Sequence, residues 1–564
     1  MLRLRENGLS SPFECGKDTG RKTRAPFPFE LGGDLREDSR LSSSLPIVNR
    51  LRDAWRRHPL LRDAVLWSVP ALIVGAILRL LILSYSPYAY WGSDSQSFFE
   101  FTNNVLTKFT FGINQKRQYL YPIFLLPITM LPGGTLRNLA WIQALIGLLT
   151  VLPFAYIIRR AFVGWKWIVI PLTLLFVGLP VFLWYEHELI GDSMMFFGLI
   201  WAMGGWAAWT SQSNPARARF LWWTFLVPFA VIVLSKPSVK FFWPGIFLAL
   251  VVVLAWRTLR WKEWTALALL FAAGLTVGSD KQSAWLLYTT AFPFTQIDSP
   301  LHAEYKAEIR ELVLEKRARL DFYDEEDDQV HDFLRDGGKG LDAPKWQALS
   351  KNRDSLNAMY KDLAFEAIRA RPDLFLYVAL RRMIGSANPD EFKGYRFAAN
   401  YFAERYAEQL RENKNPESMI RLTVAIPRGE PIPSVEAFTK MLAPDPDSPV
   451  AKWMMDYTLA YNRAGAILGS PSGHGHPLSA FLPTVLGWFV IAGGLISLVP
   501  PYLRSLGIWN IAMAGYLFAV YLVGVENHRY FAPAFPLMML CLGTFADAAF
   551  RVGLRVMVKA APDR

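Results

Sequence analysis

YPIFLLPITML, Tyr121 to Leu131, decides how this chain threads. The stretch is almost wholly apolar, yet Pro122 and Pro127 interrupt it and Pro132 stops it. A helix that crosses a bilayer needs about 20 consecutive apolar residues, so this one reads as a re-entrant or interfacial half-helix. The charges test that reading, because cytoplasmic connections collect Lys and Arg. With a half-helix here, one side receives Arg159, Arg160 and Lys166, then Arg217 and Arg219, then Arg257, Arg260 and Lys262, then Arg504. The C-terminal tail adds Arg551, Arg555, Lys559 and Arg564 to that side. Counting the stretch as a full crossing inverts the later connections and turns most of these charges outward.

The totals agree with a membrane protein. Of 564 residues, 52% are hydrophobic and 19% charged, and the mean hydropathy is +0.19. Soluble chains of this length are rarely so apolar. The 21 Trp residues cluster at the ends of apolar runs, as an interfacial belt does. A net charge of +12 is ordinary for basic cytoplasmic loops and does not indicate nucleic-acid binding. The two cysteines, Cys15 and Cys541, leave the long polar block without disulfides, and zinc-ligand spacing is absent.

About ten spans are expected: near 63–85, 137–158, 167–185, 192–210, 220–235, 241–256, 264–286, 477–499, 506–523 and 531–550. The fold class is therefore an α-helical polytopic membrane protein. Residues 1–61 read as a disordered basic cytoplasmic tail without a secretory leader, so insertion starts at the first span. A first transmembrane module (62–286) precedes a mostly helical extracytoplasmic domain (287–476). C-terminal spans (477–551) and a cytoplasmic tail (552–564) follow. Within the polar block, Ser299-Pro300 reads as a cap and first turn opening a helix through AEYKAEIRELVLEKRA. Further helices are expected from about Lys345 to Arg371, from Pro372 through PDLFLYVALRRMI, whose apolar face suits a membrane surface, and over GYRFAANYFAERYAEQL.

The outer connections under this threading are 86–136, EHELIGDS (186–193), KPSVK (236–240), the polar block and GVENHRY (524–530). The first begins SPYAYWGSDSQSFFEFTNNVL, Ser86 to Leu106. Phe98, Phe101, Val105 and Phe109 share one helical face, which predicts an amphipathic helix at the interface with Asp94 at its N-terminus. Asp94 then either caps that helix or acts as a general base toward a membrane-embedded reactant. Asp192 repeats the pattern ahead of SMMFFGLIWAM, with Glu186 and Glu188 close before it. Three carboxylates are more than one cap requires, although the two glutamates can also be simply solvated. Lys236, Lys240, His528 and Arg529 are cations on the outer side, against the positive-inside bias, and Lys116 and Arg117 join them. Such cations suit an anion at the interface, a phosphate above all; their bland reading is snorkelling and an Arg529–Glu526 pair. The acidic run Asp321 to Asp328 offers oxygen ligands to a divalent cation but reads as a solvated loop. No cofactor is expected. No GxGxxG after a strand, P-loop or HExxH is present, so nucleotide-sugar chemistry on a Rossmann-like domain is unsupported.

Four places together resemble the GT-C glycosyltransferases of the protein-mannosyltransferase and aminoarabinose-transferase group. They are Asp94 ahead of its amphipathic helix; Arg117 shortly before LYPIFLL; the turn EHELIGDS with Asp192; and Arg529-Tyr530-Phe-Ala-Pro533-Ala-Phe-Pro536. The segment AFEAIRARPDLFLYV also resembles the helix leading such chains back to the membrane. The likeness covers most of 62–550. It departs at Ser95, where the family often has Glu, at Phe98, where it has an aromatic hydroxyl, and at Tyr119, where it has Pro.

The resemblance implies an inverting transferase acting on the outer face, in a bacterial inner membrane; the basic residues put both termini in the cytoplasm, and a divalent metal is not expected. A single sugar leaves a polyprenyl-phosphate carrier for an envelope acceptor: a lipid, a glycan or a protein. Asp94 is then the base. Lys236, Lys240, His528, Arg529 and Arg117 hold the leaving phosphate, and Asp192 and Glu188 support. Tyr121 and Tyr530 line the groove. Two alternatives stay open: a lipid-linked glycan transporter or flippase, and an oligosaccharide ligase moving a whole glycan.

Overall fold

The computed structural model describes residues 58–91, 95–108, 120–162, 165–212, 214–235, 260–276, 283–318, 352–385 and 504–522, and parts of 330–334, 407–460 and 532–553. The described residues are helical, with no strand among them; one isolated parallel bridge joins Tyr90 to Glu188. The chain divides after Arg57, and His58–Arg564 is the unit considered below.

Three described helices are long and apolar enough to cross a membrane: α1 (Pro59–Tyr85), the continuous pair α4 (Thr135–Leu149) and α5 (Val151–Ala161), and α9 (Pro215–Ser235). A fourth results if the bent pair Lys166–Val177, containing α6 (Val169–Val177), and α7 (Pro180–Glu186) counts as one. The chain is a membrane protein. Further apolar helices, α8 (Asp192–Thr210), α10 (Trp261–Thr276) and α18 (Arg504–Leu522), contribute to the same core. The spans expected near 241–256 and 477–499 lie outside the described residues. Leu66, Ile73, Ile77 and Leu80 of α1 are about half exposed and form one stripe; such a stripe belongs against lipid.

Local sequence explains the breaks. Pro59 occupies the first turn of α1, where its missing N–H costs nothing. The residue before a proline avoids the helical region, and Leu179, ahead of Pro180, is extended at φ −60° and ψ 117°. That one residue bends the span by 55°. Helix α8 is buried on nearly every side. Its Gly205 meets α9 so closely that a Cβ there would stand 2.3 Å from the Thr224 carbonyl oxygen. Small residues let membrane helices approach in this way.

Helix α3 (Leu120–Thr129) has 10 residues, about 15 Å of rise against a hydrocarbon core of about 30 Å. The Ala89 N–H donates to the Leu136 carbonyl at 3.0 Å, so the chain leaves α1 and enters α4 at the same end of the bundle. No single net crossing intervenes, as the half-helix reading requires. At the opposite end Asp63 takes Arg62, Arg159 and Lys166 at 3.2, 3.3 and 3.3 Å. The basic clusters of the first spans thus share one end, although Arg159 is buried in an ion pair and does not face a membrane surface.

In the polar block, Tyr288, Phe292, Tyr305, Val313, Tyr360, Leu363 and Phe375 form a core over residues 284–378. The helix expected from Ser299-Pro300 starts later, at Ala303, and breaks at Ile309 into α12 (Ala303–Glu308) and α13 (Arg310–Ala318). Its cap position is His302 in the left-handed region at φ 51°. The Ser299 hydroxyl serves Glu366 and Lys306 instead of a helix end. Helix α14 (Arg353–Ala370) is capped by Asn352, and α15 (Pro372–Gly385) opens at Pro372 as expected. Phe375 and Val378 of α15 are buried in that core, whereas Leu376, Tyr377 and Leu380 are exposed. The helix expected over GYRFAANYFAERYAEQL lies almost entirely outside the described residues. Leu410, Ile420 and Phe438 pack instead with Trp91, Phe98, Tyr121 and Leu139, beside the candidate site.

Candidate active site

The site is built on the turn between α7 and α8. Glu186, Glu188 and Asp192 are all buried, so neither glutamate is the solvated side chain that the sequence allowed. Asp192 is the first residue of α8, with Gly191 in the cap position and no side-chain cap bond. Its carboxylate lies in the first turn, where the helix dipole favours negative charge. Glu188 accepts a hydrogen bond from the Trp184 indole at 3.1 Å. Glu186 pairs with Arg79, which reaches it from the interior of α1.

The first loop is bonded onto this turn. The Tyr90 N–H donates to the His187 carbonyl at 2.5 Å, and the Leu189 N–H donates to the Tyr90 carbonyl at 2.9 Å. Ser95, where the resembling family often has Glu, uses its hydroxyl to reach the Leu189 carbonyl at 2.7 Å. The chain on both sides of Asp94 is therefore buried at the acidic turn, with Trp91 and Ser95 as its described neighbours. Asp94 itself lies outside the described residues. Helix α2 (Ser95–Lys108) begins at the next residue, and Phe98, Phe101 and Val105 form its buried face. Part of that face packs on protein: Phe98 meets the Tyr121 ring edge-on with centroids 5.0 Å apart.

A Cβ on Gly191 would lie 3.5 Å from the Ser235 carbonyl oxygen, 3.6 Å from the Tyr121 side chain and 3.7 Å from Phe98. These are ordinary contact distances, and they place the end of α9 beside the turn, one residue before Lys236. Lys236, Lys240, Arg117, His528, Arg529 and Tyr530 lie outside the described residues. The chain resumes after Tyr530 with a short 3-10 turn at Ala532–Ala534, and Ala534 and Leu537 are buried in the core that includes Met195 and Leu199 of α8. The acidic run Asp321 to Asp328 also lies outside them.

Tyr121, expected to line the groove, has its side chain packed inside the bundle. It is fully buried, and its hydroxyl donates to Gln143 at 3.0 Å, so the ring acts as an internal strut. His187 is buried and neutral: loss of hydration pulls its pKa down to about 4, and Nε2 lies 2.6 Å from the Ser86 carbonyl oxygen. Burial likewise raises the Tyr90 hydroxyl well above the ordinary tyrosine range. Arg79, Gln143 and His187 were missed by sequence reasoning. The available signal was a polar side chain inside an apolar run, LRLLILS for Arg79 and WIQALIGLL for Gln143, since such residues are expensive in lipid and persist when paired or used.

No family model matches the sequence, and no curated protein matches it. Solved structures similar to it include the archaeal oligosaccharyltransferase AglB from Archaeoglobus fulgidus, in complex with an inhibitory peptide and a dolichol-phosphate. That likeness has a TM-score of 0.34 and 14% identity over 90% of this chain and 53% of AglB. They also include ArnT from Cupriavidus metallidurans bound to undecaprenyl phosphate, with a TM-score of 0.31 and 12% identity over 82% of this chain and 77% of ArnT. This chain spans about half the length of the AglB chain it matches.

Proposed function

We propose that this protein is an inverting membrane glycosyltransferase of GT-C type, moving one sugar from a polyprenyl-phosphate donor to an envelope acceptor on the outer face of a bacterial inner membrane. The observation that carries the reading is convergence. The segments on either side of Asp94, the buried carboxylates Glu188 and Asp192, and the end of α9 leading into Lys236 meet at one end of an apolar bundle. Asp94 and Lys236 adjoin these described segments in the sequence, and a base and cations beside them would suit a lipid-phosphate leaving group.

In the reaction, an acceptor hydroxyl or amine attacks the anomeric carbon while the bond to the lipid phosphate breaks on the opposite side. Asp94 removes the acceptor proton, and Asp192 orients Asp94 or binds a reactant. Lys236, Lys240, His528, Arg529 and Arg117 receive the charge that develops on the departing phosphate. A phosphate leaves without protonation, so no second carboxylic acid is required, in contrast to ordinary glycosidases. The domain at 287–476 covers the groove and helps select the acceptor. This is supported by Leu410, Ile420 and Phe438, which pack with Trp91 and Phe98, and by Met454, which packs with Ile82, Tyr90 and Leu183. Among the described ionisable residues of α1, Arg62 and Asp63 lie in the first turns and Arg79 lies inside the helix, paired with Glu186, whereas a transporter concentrates such groups at the midplane.

The test is transfer from a panel of radiolabelled polyprenyl-phosphate sugars, comparing the wild type with Asp94→Asn. A loss of about 100-fold is expected for a missing base. Equal activity in a folded variant removes Asp94 from the role, and a wild type inert with every donor, acceptor extract supplied, removes the function.

A further inference from the structure

We infer that Gln143 is the positioning residue of this site, a neutral hub that sets the acidic turn against α3 and α8. The part concerning catalysis rests on the proposed transferase reading. The carboxamide has two donor hydrogens and two acceptor lone pairs, and each faces a polar partner. Nε2 donates to the Glu186 carbonyl at 2.9 Å and to the Glu188 carbonyl at 2.9 Å. Oε1 accepts from the Tyr121 hydroxyl at 3.0 Å and lies 2.9 Å from the Ser193 hydroxyl, whose single hydrogen is shared with the Ile190 carbonyl at 3.1 Å. One orientation of the amide satisfies every partner, because the reverse would turn Oε1 toward two carbonyl oxygens.

The side chain is buried, and its partners bracket the turn. Glu186 and Glu188 lie at its start, Ser193 follows Asp192, and Tyr121 begins the half-helix. One helical turn further along α4, Gly147 leaves the space that the Glu186 carboxylate fills: a Cβ there would stand 2.1 Å from Oε1. Residues 143 and 147 share a helix face, so a single face of α4 fixes both the backbone and the first carboxylate of the turn. Gln143 makes no ion pair, so it fixes the turn without adding a charge that would compete for a phosphate or alter a nearby carboxylate.

The experiment compares full-length wild type, Gln143→Met and Tyr121→Phe in nanodiscs. Hydrogen exchange is read over amides 187–195, and transfer is read as kcat and KM separately. Gln143→Met keeps the volume and removes all four bonds; Tyr121→Phe keeps the ring packing and removes one, which guards against a variant that fails to fold. Faster exchange at 187–195, with exchange in α9 unchanged, is expected for Gln143→Met. A kcat lowered on the order of 100-fold is expected with it, since small displacements of reacting groups cost that much. Tyr121→Phe lowers kcat less and leaves KM alone. Unchanged exchange at 187–195 in folded Gln143→Met refutes the hub whatever the activity. A changed KM at constant kcat in Tyr121→Phe refutes the strut and returns Tyr121 to a substrate groove. A wild type without transfer refutes the transferase reading alone, and the exchange data still decide the hub.

Discussion

Removing Arg79 should damage the protein more than removing both members of its ion pair. Arg79 and Glu186 retain 6% and 3% of their side-chain exposure and meet directly. Arg79 also donates to the Gly75 carbonyl at 3.2 Å. Arg79 Nε and Glu186 Oε2 have no hydrogen-bond partner among the described residues. Stripping one partner from a buried pair costs about 3–5 kcal/mol, because it leaves a charge without water or a counter-ion. Replacing both with apolar groups is often nearly neutral, because two desolvation penalties disappear together. Arg79→Met should therefore cost about 4 kcal/mol, Glu186→Leu a similar amount, and the double variant less than either. Reversible unfolding in mixed micelles, followed by tryptophan fluorescence, gives the three differences and their coupling. Additive losses, with the double variant worst of all, would refute the claim that the two charges are held in place by each other.

Two more outcomes follow from buried ionisable groups. His187 is held neutral with its pKa near 4, against an ordinary 6.5. Its stabilising contribution is complete above about pH 6.5 and is lost as the pH falls toward and through 4. The melting temperature should drop over that window less steeply for His187→Gln than for the wild type, and parallel curves would contradict the burial argument. Lys306 is fully buried between Ser299 and Glu366, at 2.5 Å from each, whereas Glu366 keeps 20% of its side-chain exposure. Glu366→Leu should cost roughly 3 kcal/mol by stranding the ammonium, and Lys306→Met roughly 1 kcal/mol, because water still reaches the carboxylate. Equal losses in thermal melts would show that the burial difference is unimportant.

Much of the architecture was legible because lipid imposes length and charge rules on single stretches of chain. Pro122, Pro127 and Pro132 marked a helix too short to cross, and α3 ends at Thr129. Phe98, Phe101 and Val105 marked the buried face of α2. Pro372 marked the start of α15. The reading failed where a side chain served a distant partner. Ser299 looked like a helix cap, but it serves a lysine and a glutamate. Gln143 was not singled out, although its amide takes the Tyr121 hydroxyl.

The sequence by itself pointed to a helical membrane protein and to some helix limits, such as those at Pro132 and Pro372, because those properties depend on the local run of apolar residues, prolines and charges. Only the tertiary structure decided which polar groups meet. Tyr90 lies beside Glu188, Arg79 beside Glu186, and Gln143 joins Tyr121 to Ser193. Those pairs are separated by tens of residues and depend on helix packing, since a buried donor must find an acceptor wherever the fold has placed one.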